Sequence, residues 1–154
     1  MASVHLICGF AGTGKTTVAR KLAVQMNAVR LTPDEMMADL YGRDIPESEY
    51  REKRERIDRL VWDLAEQIVC AGGSVILDCG FKSRKSRRKA VERAQIFCDS
   101  ITFHQVECDV ETAKKRLRER DADRLDEAVF DALAKAYEPI DADERLDVIY
   151  YRNV

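Results

Sequence analysis

Short apolar runs and stretches of helical periodicity alternate from one end of the chain to the other. Val4-His5-Leu6-Ile7-Cys8 reads as a buried strand. Val18, Leu22 and Met26 then recur at helical spacing, with Ala19 and Ala23 beside them. Ala28-Val29-Arg30-Leu31 predicts a short second strand, and Pro33 opens a tight turn into a short helix carrying Met36, Met37, Leu40 and Tyr41. Gly42 to Pro46 breaks that helix. A long helix is predicted from Glu47 to Ala71, with an apolar stripe at Ile57, Leu60, Val61, Leu64 and Ile68, and Gly72-Gly73 stops it. Ser74 to Asp78 is a third strand and Ile101 to Cys108 a fourth, flanking a basic helix from Ser86 to Cys98. Helices over Val110 to Arg120 and Asp126 to Tyr137, and a strand over Asp147 to Arg152, complete the series. Strands that alternate with helices and are apolar throughout predict right-handed βαβ units. The expected fold is α/β: a mostly parallel five-stranded sheet between two helical layers.

Composition narrows this picture. The 154 residues suit one domain, and 45% hydrophobic content supports a packed core. Charged residues make up 35%, yet the net charge is only −2, so the whole molecule is not a polyanion binder. No run approaches the ~20 apolar residues of a membrane span, and the first apolar run is too short for a secretion signal. The five cysteines are an odd number without C-x-x-C spacing, which argues against a disulfide framework and a zinc site. A cytoplasmic protein is expected.

The strongest local signal is Gly9-Phe10-Ala11-Gly12-Thr13-Gly14-Lys15-Thr16, which matches G-x-x-x-x-G-K-[ST] at every fixed position. It lies between a strand and a helix, the context that this phosphate-binding loop requires. Its glycines let backbone N–H groups wrap a polyphosphate, and the following helix offers its N-terminus to the anion. Gly9, Ala11, Gly12, Thr13, Gly14, Lys15, Thr16 and Thr17 are the expected nucleotide contacts. Lys15 would reach the β- and γ-phosphates, and the Thr16 hydroxyl would ligate Mg²⁺.

Ligands of parallel sheets sit at the C-terminal strand ends, and Asp34 and Asp78 fall there too. Asp34 is placed to orient and deprotonate an acceptor hydroxyl, or to cap the helix it precedes. Asp78 ends an apolar strand, where a carboxylate holds Mg²⁺, contacts the acceptor or caps the next turn. Arg116 and Arg120 share a helix face and, with Arg124, suit a lid over the phosphates across residues 116–128; a helix C-terminus enriched in Arg to suit its dipole is the alternative. Lys82, Arg84, Lys85, Arg87, Arg88 and Lys89 form a dense basic run, read either as an anion-binding face or as a solvated helix. Phe81 either stacks on a substrate ring or packs. The charged run Arg51 to Arg56 reads as a solvated helix face.

Taken together, these features resemble the small P-loop kinases grouped with AAA-type ATPases, among them chloramphenicol phosphotransferase, zeta toxin and polynucleotide 5′-kinase relatives. The resemblance rests on Gly9–Thr16, Leu31-Thr32-Pro33-Asp34-Glu35, Val75-Ile76-Leu77-Asp78 with Gly80-Phe81 and Arg84, Arg116-Leu117 with Arg120, and Tyr137-Glu138-Pro139. It implies a nucleoside-kinase-like P-loop fold, ATP and Mg²⁺ as cofactors, and γ-phosphate transfer to a hydroxyl. Lys15, Asp34 and Arg120 would be the catalytic residues, Arg116 and Arg120 would cover the nucleotide, and Asp34, Arg84 and Phe81 would meet the acceptor. Lys82 departs from the family, which often has an aromatic residue after Gly-Phe. That departure favours an anionic or nucleic-acid acceptor. A nucleotide-dependent switch or accessory ATPase acting on a protein partner is the alternative function.

Overall fold

The structure, a computed structural model, describes residues 2–121 and 126–152. In chain order its elements are β1 (Val4–Cys8), α1 (Lys15–Met26), β2 (Val29–Leu31), α2 (Pro33–Tyr41), α3 (Glu47–Cys70), β3 (Val75–Gly80), α4 (Arg84–Gln95), β4 (Ile101–Glu107), α5 (Val110–Asp121), α6 (Glu127–Ala136) and β5 (Val148–Arg152). All five strands are parallel, in the order β2-β3-β1-β4-β5. The chain leaves β1 toward one side of the sheet and later continues on the other. A crevice therefore opens where β1 and β3 end, as such topologies require.

Two apolar layers sandwich the sheet. On one face Ile7, Ile76 and Val106 pack against Val18 and Ala19 of α1. On the other, Leu6, Leu77 and Phe103 join Ile57, Val61, Ala65 and Val69 of α3 and Ala90 and Ala94 of α4. The predicted stripe on α3 is thus rotated: Leu60 is exposed, and small Ala65 and Val69 take the inner face. Close approach of helix to sheet selects small side chains there, which a count of large apolar residues overlooks. β3 runs two residues past Asp78, because after a shift in register Gly80 pairs with Cys8 of β1.

One polar chain crosses the buried α1 face. Ser3 Oγ lies 2.8 Å from His5 Nε2, His5 Nδ1 2.9 Å from His104 Nε2, and His104 Nδ1 2.8 Å from Tyr151 Oη. Neutral rings satisfy this chain with all donors running in one direction. Burial, followed by the field of His5, pushes His104 down to about 4, and burial lowers His5 as well. Unfolded, both rings titrate near pH 6.5. Below that pH the unfolded chain takes up protons that the native rings refuse, so stability falls as pH falls. A loss of about 2–3 kcal/mol is expected between pH 7 and 5, read as a lower urea midpoint and made shallower by His104→Gln. A midpoint independent of pH would show that the native rings accept protons freely.

Candidate nucleotide and acceptor site

The loop after β1 is shaped by close packing as much as by its free amides. Gly12 has φ +82°, and a methyl group there would stand 2.6 Å from the Ala113 carbonyl oxygen of α5. Only glycine lets α5 lie directly on the loop. Thr13 is fully buried and its hydroxyl donates to the Phe10 carbonyl at 2.9 Å. Gly9 donates its N–H to Gly80 of β3. Gly9 and Thr13 therefore shape the loop from behind, while Ala11, Gly12, Gly14, Lys15, Thr16 and Thr17 face a cavity of about 1020 Å³.

Asp78 projects into that cavity from β3, and the Thr16 hydroxyl donates to its carboxylate at 3.4 Å. Burial raises the Asp78 pKa, with Lys15 opposing the shift. Burial likewise lowers the Lys15 ammonium, with Asp78 working against it. The hydroxyl and carboxylate sit as a pair beside the phosphate loop. That donor set fits Mg²⁺, which takes one or two protein oxygens and completes its shell with phosphates and water. Among the described residues there is no cluster of three or more His, Cys, Asp or Glu that would hold a metal on protein ligands alone.

Asp34 enters the cavity from the first turn of α2. Thr32 occupies the N-cap position and Pro33 follows in the first turn, so Asp34 is not the N-cap. Its carboxylate is 68% exposed and reaches Arg54 Nη1 of α3 at 2.6 Å. Asp34 lies close enough to Lys15 and Asp78 to perturb both electrostatically. The P-loop, the end of β3 and the start of α2 thus converge, as the order of motifs implied.

The sequence reading missed Arg54. It sits inside the run whose charge pattern predicts a solvated face, yet its side chain is only 20% exposed. Its Nε donates to Asp58 at 3.1 Å and its Nη1 to the Tyr50 hydroxyl at 3.2 Å. Burial works against its charge, but Asp34 and Asp58 outweigh that and hold the guanidinium above its usual range. Tyr50 and Arg54 are four residues apart and share a helix face, which was the available signal. Glu35 borders the same cavity and is held by Arg30 through two contacts of 2.9 and 3.2 Å.

Phe81 is buried, edge-on to Phe103 with ring centroids 6.2 Å apart, and belongs to the core rather than to a substrate platform. Arg84 stands outside the cavity and pairs with Asp143 at 2.9 Å. The basic run is not one surface: Lys82 lines the cavity, Arg84 is paired, and Arg87 is completely buried. Arg116 and Arg120 line the cavity, and Arg116 Nη1 donates to the Thr13 carbonyl at 3.3 Å, holding α5 to the phosphate loop. Arg124 and part of the lid assigned to residues 116–128 lie outside the described residues.

A strand–phosphate loop–helix at the switch point of a parallel sheet, with Asp78 on the adjacent strand, has the architecture of a P-loop NTPase. The chain belongs to the AAA domain family AAA_33, whose model matches residues 4–140. Solved structures share the fold. A protein from Chloroflexus aurantiacus described as a candidate kinase superposes with a TM-score of 0.80 at 16% identity, covering 99% of this chain and 89% of that one. Chaetomium thermophilum Kti12 in complex with ADP-AlF3 gives 0.72 at 19% identity, covering 97% and 87%. A chain of the Pnkp1/Rnl/Hen1 RNA repair complex gives 0.72 at 23% identity, covering 88% of this chain and 42% of that one. A search of curated proteins finds no match. Among the described residues no helix is long and apolar enough to cross a membrane.

Proposed function

We propose that the protein is an ATP-dependent kinase that transfers the γ-phosphoryl group to a hydroxyl of a small molecule or of a nucleic-acid 5′ end. The observation that carries this reading is Asp34. It is a carboxylate held by Arg54 within the same cavity as the phosphate loop, on an element separate from Asp78. A nucleotide switch has no need of a carboxylate there, whereas phosphoryl transfer needs one to orient the acceptor and take its proton.

Lys15 and the loop amides would hold the β- and γ-phosphates. Thr16 and Asp78 would hold Mg²⁺, which supplies charge neutralisation across the phosphates when bound. Arg116 and Arg120 border the same cavity from α5 and would cover the nucleotide. A neighbour in an RNA repair complex supports including nucleic-acid ends among the acceptors.

The test is transfer from γ-labelled ATP, with GTP in parallel, to a panel of 5′-hydroxyl oligonucleotides, nucleosides, sugars and hydroxyl-bearing antibiotics. Label on one acceptor class is expected. Hydrolysis alone, or tight nucleotide binding without transfer to any acceptor, would favour the switch or accessory ATPase acting on a protein partner.

A further inference from the structure

At the end of β3 the backbone does something costly. Gly80 has φ +88° and is followed by Phe81 at φ +42°, a left-handed conformation that a bulky aromatic residue rarely adopts. The two residues turn the chain so that the Phe81 ring enters the core while Lys82 returns to the cavity wall. The turn is pinned from several directions. Arg87 Nη1 donates to the Phe81 carbonyl at 3.0 Å, and the Glu138 N–H donates to the Lys82 carbonyl at 2.9 Å. Strain retained under that much support marks a position whose side chain has a task.

The position of Lys82 suggests the task. A methyl group placed on Gly80 would stand 3.4 Å from Lys15 Nζ and 3.6 Å from Lys82 Cε. The ends of the two lysines therefore flank one glycine at the phosphate end of the cavity. Among the described residues no carboxylate pairs with the Lys82 ammonium, whereas Arg54, Arg84 and Arg87 each have an acidic partner. Two cations held close together, with Asp78 acting on Lys15 but no carboxylate paired to Lys82, favour an anion between them.

We propose that Lys82 is a second phosphoryl-binding cation, which donates hydrogen bonds to a non-bridging oxygen of the γ-phosphoryl group as it passes from nucleotide to acceptor. This rests on the kinase reading above. In the step, the bond from the acceptor oxygen to the γ-phosphorus forms. The bond from that phosphorus to the β,γ-bridging oxygen breaks, its electron pair staying with ADP, and the acceptor proton goes to Asp34. Lys82 keeps its protons and forms no covalent bond. Its backbone lies just past the end of β3 and is held there by the Glu138 N–H, so its charge is in place without any lid movement. Its catalytic value lies in a contact that strengthens as the phosphoryl group leaves ADP.

The readout needs no identified acceptor. MgADP affinity is measured with and without aluminium fluoride, which completes a mimic of the transferring group, for the wild-type protein, Lys82→Met and Lys82→Arg. Wild-type protein is expected to bind MgADP more tightly with fluoride. Lys82→Met is expected to keep MgADP affinity within about threefold and to lose about 10²-fold of the fluoride-dependent gain, with Lys82→Arg restoring most of it. Full gain in Lys82→Met would overturn the proposal. A matched fall in MgADP affinity and melting temperature would also overturn it, by showing a structural role. Wild-type protein that binds MgADP with no gain from fluoride would overturn the kinase reading itself, a result separable from the variant's.

Discussion

Asp34→Asn is expected to lower phosphoryl transfer by about 10²–10⁴-fold while ATP affinity stays within a few-fold of wild type. The asparagine is isosteric, and its amide oxygen still accepts from Arg54 Nη1, which now holds the carboxylate at 2.6 Å. What disappears is the group that takes the acceptor proton, a loss of about 3–5 kcal/mol of transition-state stabilisation. The sign for nucleotide binding is opposite. Asp34 acts electrostatically on Lys15 and Asp78 beside the phosphates, so removing its negative charge leaves the polyphosphate site unchanged or slightly tighter. Single-turnover transfer to whichever acceptor the panel identifies, together with equilibrium ATP binding, separates the two effects. Wild-type transfer by Asp34→Asn would remove the base from the mechanism and leave Asp34 as a partner of Arg54 alone.

The second large effect is on stability. Arg87→Ala is expected to destabilise the fold by about 3–5 kcal/mol. Arg87 is fully buried, and its five N–H groups meet Glu144 at 2.8 and 3.0 Å, the carbonyls of Phe81 and Glu138 at 3.0 and 2.8 Å, and that of Pro139 at 3.4 Å. Glu144 is 7% exposed. Its burial raises its pKa, but its bonds with Arg87 and the Asp141 N–H outweigh that and hold it below the usual range. Removing the guanidinium leaves that carboxylate buried without its counter-ion, which is worse than removing both. For a chain of this size the melting temperature should fall by ~6–20 °C. A double variant, Arg87→Met with Glu144→Gln, should recover part of the loss and expose the coupling. Equal melting temperatures for Arg87→Ala and wild type would show that the segment from Tyr137 to Arg145 is not held through this pair.

Arg87 also shows where reading along the chain stops working. In sequence it is one of six cations in eight residues, and nothing local distinguishes it from Arg88, which is exposed. The distinction comes from Glu144, fifty-seven residues away, whose approach is set by how the chain runs between α6 and β5. Arg54 was hidden in the same way, because i, i+4 ion pairs along α3 are what a solvated helix face shows, and only the packing of α2 on α3 turns one of them toward Asp34. Phe81 had two readings until the left-handed turn placed its ring in the core.

The sequence alone determined the phosphate loop, the parallel α/β architecture and the two carboxylates near the C-terminal ends of β2 and β3. Those features depend on local pattern: apolar runs that must be covered on both faces, glycines at fixed spacing, and short loops that place each strand end on one side of the sheet. Tertiary structure decided which charged side chains serve the cavity and which serve the fold. A charge takes its role from the partner within a few ångströms of it, and for Arg54, Arg87 and Lys82 those neighbours arrive from other elements of the chain.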